Sequence, residues 1–490
     1  VNASRLIAAA LVVIVLIGGA LRLYHVRDPI LDHPGWRQGD QAAIARNFAQ
    51  LQNDIFYPQV DYDGPPPNYI ELELQIVPFT AAQLYKAFGV HVVFGRLIVV
   101  MFSLGTILLV YWFGVELASR RAGVAAALLL AIAPGAIYYG RTFTPDSVMV
   151  FFSTGVLLFW WRWCMRRMPV DLIAAIAFGA LAWLAKPPAL LVLAPILGVL
   201  VARRGWRAFI DWSLYAFLAA TLLPFVLYFN HVRAIAEWHW FSGITQKHVL
   251  PALWTALSSP GAFSDALQNA MALLGMLAHT VLGPVVLTLM LGGALVLPES
   301  ESKRERTWLF ATWAAALCAY AFVVVNVERV DYYLLPWLPL AVLVAGVAID
   351  GVWQRVVQRT VPAGAWIALA AAVFIAGYIS MLELAPYYVW NPRVYASATQ
   401  LDRDLAPGSI IVMGHYGPDV LYLINRKGWE EDPVLWTVHD MKSAIAKGAR
   451  YFVAVEPARL RANPELYSFL ERFPKVATTS GWPVYDLGKM

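Results

Sequence analysis

The side chains able to do chemistry gather in a few short motifs, each placed beside a long apolar run. His33-Pro34-Gly35-Trp36-Arg37-Gln38-Gly39-Asp40-Gln41 follows the first run and carries an arginine and an aspartate three residues apart. Glu71 and Glu73 come next, then Arg141 with Asp146, and later Arg329 with Asp331 beside Tyr332 and Tyr333; Lys186-Pro187-Pro188 adds a further cation. Mixed charges kept near lipid are costly unless they pair or bind a ligand, so their concentration on one face implies a polar cavity. The reaction suited to such a cavity is transfer of a group from a lipid phosphate. Arg37, Arg141, Lys186 or Arg329 would hold the phosphate and stabilise its leaving charge, as preorganised donors do for developing anions. A carboxylate would take the proton from an acceptor hydroxyl. A phosphate departs without a general acid, and a base facing it across the sugar gives inversion.

Asp40 is the carboxylate best placed for that work. It stands ahead of Ala42–Leu51, where Ile44, Phe48 and Leu51 share one helical face, so the segment is expected to lie in the interface plane with Asp40 at its N-terminus. Arg37 is near enough to keep it ionised. The plainer role for an aspartate there is helix N-cap. Any one of the other charged residues is equally well an interfacial snorkelling side chain or a structural ion pair, so the functional reading rests on their gathering.

The elements that position these motifs are membrane helices. With 490 residues, 60% hydrophobic and 14% charged, the chain is too apolar for a soluble protein of its size. Runs long enough to cross a hydrocarbon core of about 30 Å recur, and lipid forces each to be an α-helix. About eleven spans are expected, at 6–23, 92–117, 122–139, 147–163, 172–185, 189–202, 212–229, 270–297, 307–325, 333–349 and 366–384. The fifth and sixth are short, hinge at Lys186-Pro187-Pro188, and read equally as a re-entrant pair. The first lacks a small-residue cleavage site and leads straight into the charged motif, as an uncleaved anchor would.

Arginines cluster on one side of these spans, at Arg120 and Arg121, at Arg162, Arg166 and Arg167, at Arg203, Arg204 and Arg207, within Glu299–Arg306, and at Arg355 and Arg359. The acidic and aromatic motifs, with Trp238-His239-Trp240-Phe241 among them, fall on the other. The positive-inside rule then places the N-terminus in the cytoplasm and the C-terminus outside. The net charge of +5 is therefore topology rather than a sign of nucleic acid. The loop from Tyr24 to Gln75 is long, and Gly64-Pro65-Pro66-Pro67 cannot be helix interior. A second short outer helix is expected over 76–88. From Ala385 the composition becomes that of a soluble module: 409–414 and 450–455 read as strands, 418–425 and 464–473 as helices, giving a small α/β domain over 385–490. Cys164 and Cys318 fall inside spans and suggest neither a disulfide framework nor a metal cluster.

Taken together, Gly35-Trp36-Arg37-Gln38-Gly39-Asp40, the stretch from Glu73 through Pro78 to Gly89 and Arg96, Tyr139-Gly140-Arg141 with Pro145-Asp146, Lys186-Pro187-Pro188, and Asp331-Tyr332-Tyr333 with Pro336 and Pro339 resemble bacterial glycosyltransferases with the C-type fold. The family is the one related to protein O-mannosyltransferases and to the aminoarabinose transferase of lipid A, and the likeness covers residues 6–384. It implies a polyprenyl-phosphate-linked sugar donor and inverting transfer at the periplasmic face of a bacterial inner membrane. The acceptor would be a lipid A, glycan or protein hydroxyl. Carried over by position, Asp40 would be the base and Glu73 and Asp146 the further catalytic acids; Arg37, Arg141, Lys186, Arg329, Tyr332 and Tyr333 would bind substrate. Two departures stand out: Gln41 follows Asp40 where many relatives have a second acid, and Asp331 stands where a histidine often precedes the tyrosine. No cofactor is fixed, and a divalent cation stays open. The competing functions are a transporter or flippase of lipid-linked sugars, which favours repeats and broken helices at mid-membrane, and a non-catalytic assembly or sensor subunit.

Overall fold

The computed structural model describes residues 3–237, 239–295, 297, 300–325, 327–356 and 363–489. Trp238, Glu299 and Arg359 lie outside the described residues. Eight helical stretches among the described residues are long and apolar enough to cross a membrane: 5–23, 92–117, 146–166, 187–210, 212–235, 303–325, 337–355 and 370–388. The helices Pro260–Val281 and Gly283–Leu295 meet at 116° and make a ninth if they form one span.

The apolar runs at which the count departs from eleven are those broken by proline or glycine. The run 122–139 divides into α5 (Arg120–Ile132) and α6 (Pro134–Tyr138), because Ala133, ahead of Pro134, is extended at φ −66° and ψ 133°. After α7 (Asp146–Arg166), α8 (Pro169–Ala185) stops at extended Lys186, and a 3₁₀ turn over Pro187–Val192 leads into α9 (Leu193–Arg204). The run 270–297 bends at Gly283, whose φ of +75° is open to glycine and strained for other residues.

The chain forms two compact units. The first comprises Val1–Val26, Leu97–Asn230 and Phe241–Ala385. Its helices include α1 (Ala3–Leu23), most of α4 (Val92–Leu117) and α10 (Trp212–Ile235). Buried Arg22 ties three of them by donating to Ser103 Oγ at 2.7 Å, to Gly18 O at 3.0 Å and to Ala131 O at 3.2 Å. These contacts replace the water that a buried guanidinium loses. Trp160, Trp183 and Phe217 pack as a fully buried aromatic group.

The second unit gathers Arg27–Arg96, His231–Trp240 and Pro386–Met490, so the long first loop packs with the C-terminal residues. A five-stranded sheet has the order β2-β1-β3-β5-β4, with β1 (Ile410–Met413) parallel to β2 (Lys427–Glu430) and β3 (Ala449–Val453). Antiparallel β5 (Val484–Asp486) and β4 (Lys475–Val476) complete it. The first loop joins this sheet: Gly428 N–H donates to Asp61 O at 2.9 Å, and Gly64 N–H to Gly428 O at 2.8 Å.

Two helices of this unit carry motifs, α2 (Gly35–Gln50) and α3 (Ile76–Phe88). Asp40 is not at a helix N-terminus, because α2 starts five residues earlier with Pro34 as its N-cap residue. Nor is α2 a surface helix with one apolar face. Every residue from Arg37 to Phe48 is buried, and Ile44 and Phe48 belong to a core shared with Val60, Ile70, Leu421 and Met413. Leu51, just past its end, is exposed.

Candidate active site

In the second unit the catalytic candidates meet around Arg37. Its guanidinium forms an ion pair with Glu73 and lies 3.6 Å from Asp40 Oδ2. All three side chains are buried. Asp40 Oδ1 accepts no hydrogen bond of ordinary geometry, and the hydroxyl of buried Tyr62 stands beside the carboxyl. Burial pushes the Asp40 carboxyl up to about 7; Arg37 and Tyr62 work against that rise, and Glu73 adds to it. Arg37 therefore does not hold Asp40 fully ionised, as its spacing suggested, because burial of the carboxyl outweighs it. A carboxyl poised near neutrality with one unengaged oxygen is suited to accept a proton.

The neighbouring motif residues build the frame. Arg96 forms a fully buried ion pair with Asp32 at 2.7 Å, and its Nη2 donates to Gln38 Oε1 at 3.0 Å, fixing the start of α2. Arg46 pairs with Asp61, which also takes Lys427 at 2.8 Å and Asn47 at 3.0 Å. Burial would raise Asp61, and Arg46 with Lys427 outweighs it, leaving the carboxyl below its usual range. Glu71 lies 3.6 Å from His239.

In the first unit Lys186 Nζ is 2.5 Å from Asp146 Oδ1 and 4.8 Å from the ring centroids of Tyr332 and Tyr333. Pairing runs between turns: Asp146 meets Lys186, and Arg141 donates to His25 O at 3.2 Å while lying 4.8 Å over Tyr138. Asp331 accepts the Tyr139 hydroxyl. Arg329 lines a cavity of about 630 Å³ with Asp265, Asn269 and Phe322. Asp146 keeps one buried oxygen, Oδ2, without a hydrogen bond.

Sequence reasoning missed Tyr62, Asp419 and Glu430. The run Gly417-Pro418-Asp419 is a turn signal that marked only a helix start, and Glu430 sits in a strand with no motif around it. Among the described residues no group of three or more His, Cys, Asp or Glu is arranged to hold a metal ion.

Residues 76–229 match the family model of dolichyl-phosphate-mannose-protein mannosyltransferases. Among curated proteins compared by sequence, none matches the chain. The fold is similar to that of ArnT from Cupriavidus metallidurans in the apo state, with TM-score 0.61 and 17% identity over 97% of both chains. The same ArnT bound to undecaprenyl phosphate gives TM-score 0.61 and 15% identity, again over 97% of each chain. The archaeal oligosaccharyltransferase AglB from Archaeoglobus fulgidus, in complex with an inhibitory peptide and a dolichol-phosphate, gives TM-score 0.61 and 13% identity over 98% of this chain and 74% of that one. The resemblance carried by the motifs is thus borne out: this chain has the C-type glycosyltransferase fold and, over residues 76–229, the sequence pattern of the dolichyl-phosphate-mannose-protein mannosyltransferase family.

Proposed function

We propose that this chain is an inverting glycosyltransferase that moves a sugar from a polyprenyl-phosphate-linked donor to a hydroxyl of a lipid, glycan or protein acceptor at the periplasmic face. The observation that carries the reading is Asp40: a buried carboxyl, poised near neutral pH with one oxygen unengaged, in a chain of this fold. Asp40 accepts the hydroxyl proton as the new glycosidic bond forms and the donor phosphate departs. Arg37 and Glu73 orient it. Lys186, Arg141 and Arg329, with Tyr332 and Tyr333, serve the donor phosphate, and Asp146 holds Lys186 in place for that role. Undecaprenyl phosphate in ArnT and dolichol-phosphate in AglB support a lipid-phosphate carrier.

The arginine-rich loops support a multi-pass protein of the bacterial inner membrane, with a cytoplasmic N-terminus and with residues 385–490 in the periplasm. A reporter fused after Met490 that is active only in the cytoplasm would contradict this orientation. The function itself is tested by the mass of envelope lipids, glycans and glycoproteins from cells with and without the chain. One species gains the mass of a single sugar when the chain is present; an unchanged set of masses contradicts transfer and leaves a carrier of lipid-linked sugars as the alternative.

A further inference from the structure

The C-terminal residues do more than pack beside the first loop, because they approach within one residue of Asp40. Gly35 and Gly39 lie one turn apart on α2, and the helix Pro418–Ile424 begins against them. A Cβ at Gly39 would come within 2.3 Å of the Asp419 backbone nitrogen, and one at Gly35 within 2.4 Å of Asp419 Oδ2. At Gly39 the atoms met are backbone, so only glycine there lets this turn seat on α2; at Gly35 the Asp419 carboxylate would have to swing aside. The turn is held from behind by Glu430, the last residue of β2, whose Oε2 accepts the Gly417 N–H at 2.5 Å. From the other side, the pairing of Asp61 and Gly64 with Gly428 brings Tyr62 and Asp63 to the same place.

We propose that Glu430 is a positioning residue for Asp40: clamped on the Gly417 N–H, it seats the Gly417–Asp419 turn on the glycine face of α2 and so keeps water from the Asp40 carboxyl. The inference rests on the reading of Asp40 as the base. Glu430 acts through the turn and touches no substrate. The groups facing Asp40 are Arg37 on its own helix, Glu73 from the loop before α3, Tyr62 from the first loop, and Tyr416 and Glu430 from the C-terminal residues, with Asp63 and Asp419 beside Glu430. Only Arg37 among them is a cation, and Glu73 engages it. Burial, with the Asp40 charge next, pushes Glu430 up to about 10, so it is an un-ionised acid while Asp40 titrates near 7. Two like charges are thereby avoided, and the lower of the two acids is the one left to work as a base.

The test follows buried carboxyls by infrared difference spectroscopy as pH is raised on the full chain in lipid nanodiscs. The wild type shows a step near pH 7 that Asp40→Asn removes, which assigns it. Glu430→Gln preserves a neutral group on the Gly417 N–H and leaves the Asp40 step within about half a unit of wild type. Had Glu430 been ionised, losing its charge would lower that step by about a unit or more, and this result overturns the proposal. Glu430→Ala admits water, and Gly39→Ala lifts the turn without touching Glu430, so each lowers the Asp40 step by about a unit or more. A step unmoved in the folded form of either variant overturns the proposal. The masses of sugar acceptors from cells carrying Asp40→Asn report separately on the base: if product persists, that role fails, and the titration still decides whether Glu430 shields Asp40.

Discussion

Replacing Lys186 by methionine tests whether the membrane unit is built around an ion pair that a ligand can share. Lys186 and Asp146 are 8% and 1% exposed and stand 2.5 Å apart, with two tyrosine rings on the ammonium. Asp146 Oδ2 has no hydrogen bond of its own, so the lysine carries most of the compensation for that carboxylate. Removing one partner of a buried pair costs about 3–5 kcal/mol, because the other charge is stranded. Loss of the cation–π contacts adds about 0.5–2 kcal/mol. Lys186→Met should therefore lower the unfolding free energy by about 3.5–7 kcal/mol. The double variant Lys186→Met with Asp146→Asn strands no charge and should regain about 2 kcal/mol or more of that loss. Denaturant unfolding in detergent reads both values. Binding of undecaprenyl phosphate, compared in the two folded proteins, then reports the loss of the cation without the stranded acid. A single variant destabilised by less than about 1 kcal/mol, or a double variant no more stable than the single, would refute the reasoning.

Three further outcomes follow from the second unit. Asp40 has a folded value near 7 against 3.8 unfolded, so the native state binds more protons between these limits, and stability falls as pH rises from about 4 to 7; Asp40→Asn should flatten this part of the stability–pH curve. Gly39→Ala sets a methyl against the Asp419 backbone and should cost about 1–3 kcal/mol in denaturant unfolding, whereas alanine for glycine in an open helix stabilises. Arg96→Met strands Asp32 in a fully buried pair and should cost about 3–5 kcal/mol, with proteolysis near the start of α2 as a second readout.

What the sequence disclosed was set by how local the signal is. Apolar runs announced the membrane helices, and the change in composition after Ala385 announced a small α/β module whose β1 falls inside the expected strand 409–414 and whose β3 starts one residue before the expected strand 450–455. Helix breaks needed a closer reading of Pro134 and Gly283, since hydropathy averages over one proline or glycine while the backbone does not. Asp40 and Arg37 were legible from type and spacing, but the pairing of Arg37 with Glu73 was not, because it joins residues 36 apart across a loop. Asp146 and Lys186 were both singled out, yet nothing in two separate turns tells that they meet. Glu430 was silent for the same reason. Its position is fixed by strand pairing and by a contact with Gly417, and neither leaves a local mark. Gly35 and Gly39 drew no role from the sequence, and their absent side chains are the seat of the Pro418 turn.

The measurement that bears most directly on the central claim is sugar transfer by Asp40→Asn. Asparagine keeps the size and the neutral hydrogen bonding of a protonated aspartate, and Asp40 lies in the second turn of α2, so no N-cap is lost. The variant should fold, bind undecaprenyl phosphate nearly as the wild type does, and transfer about a hundredfold to ten-thousandfold more slowly, the loss typical of removing a general base. Product followed by mass in purified variant and wild type supplies the comparison. Transfer retained above about half the wild-type rate contradicts the account, because a residue that only supports the fold can lose its charge there without slowing chemistry.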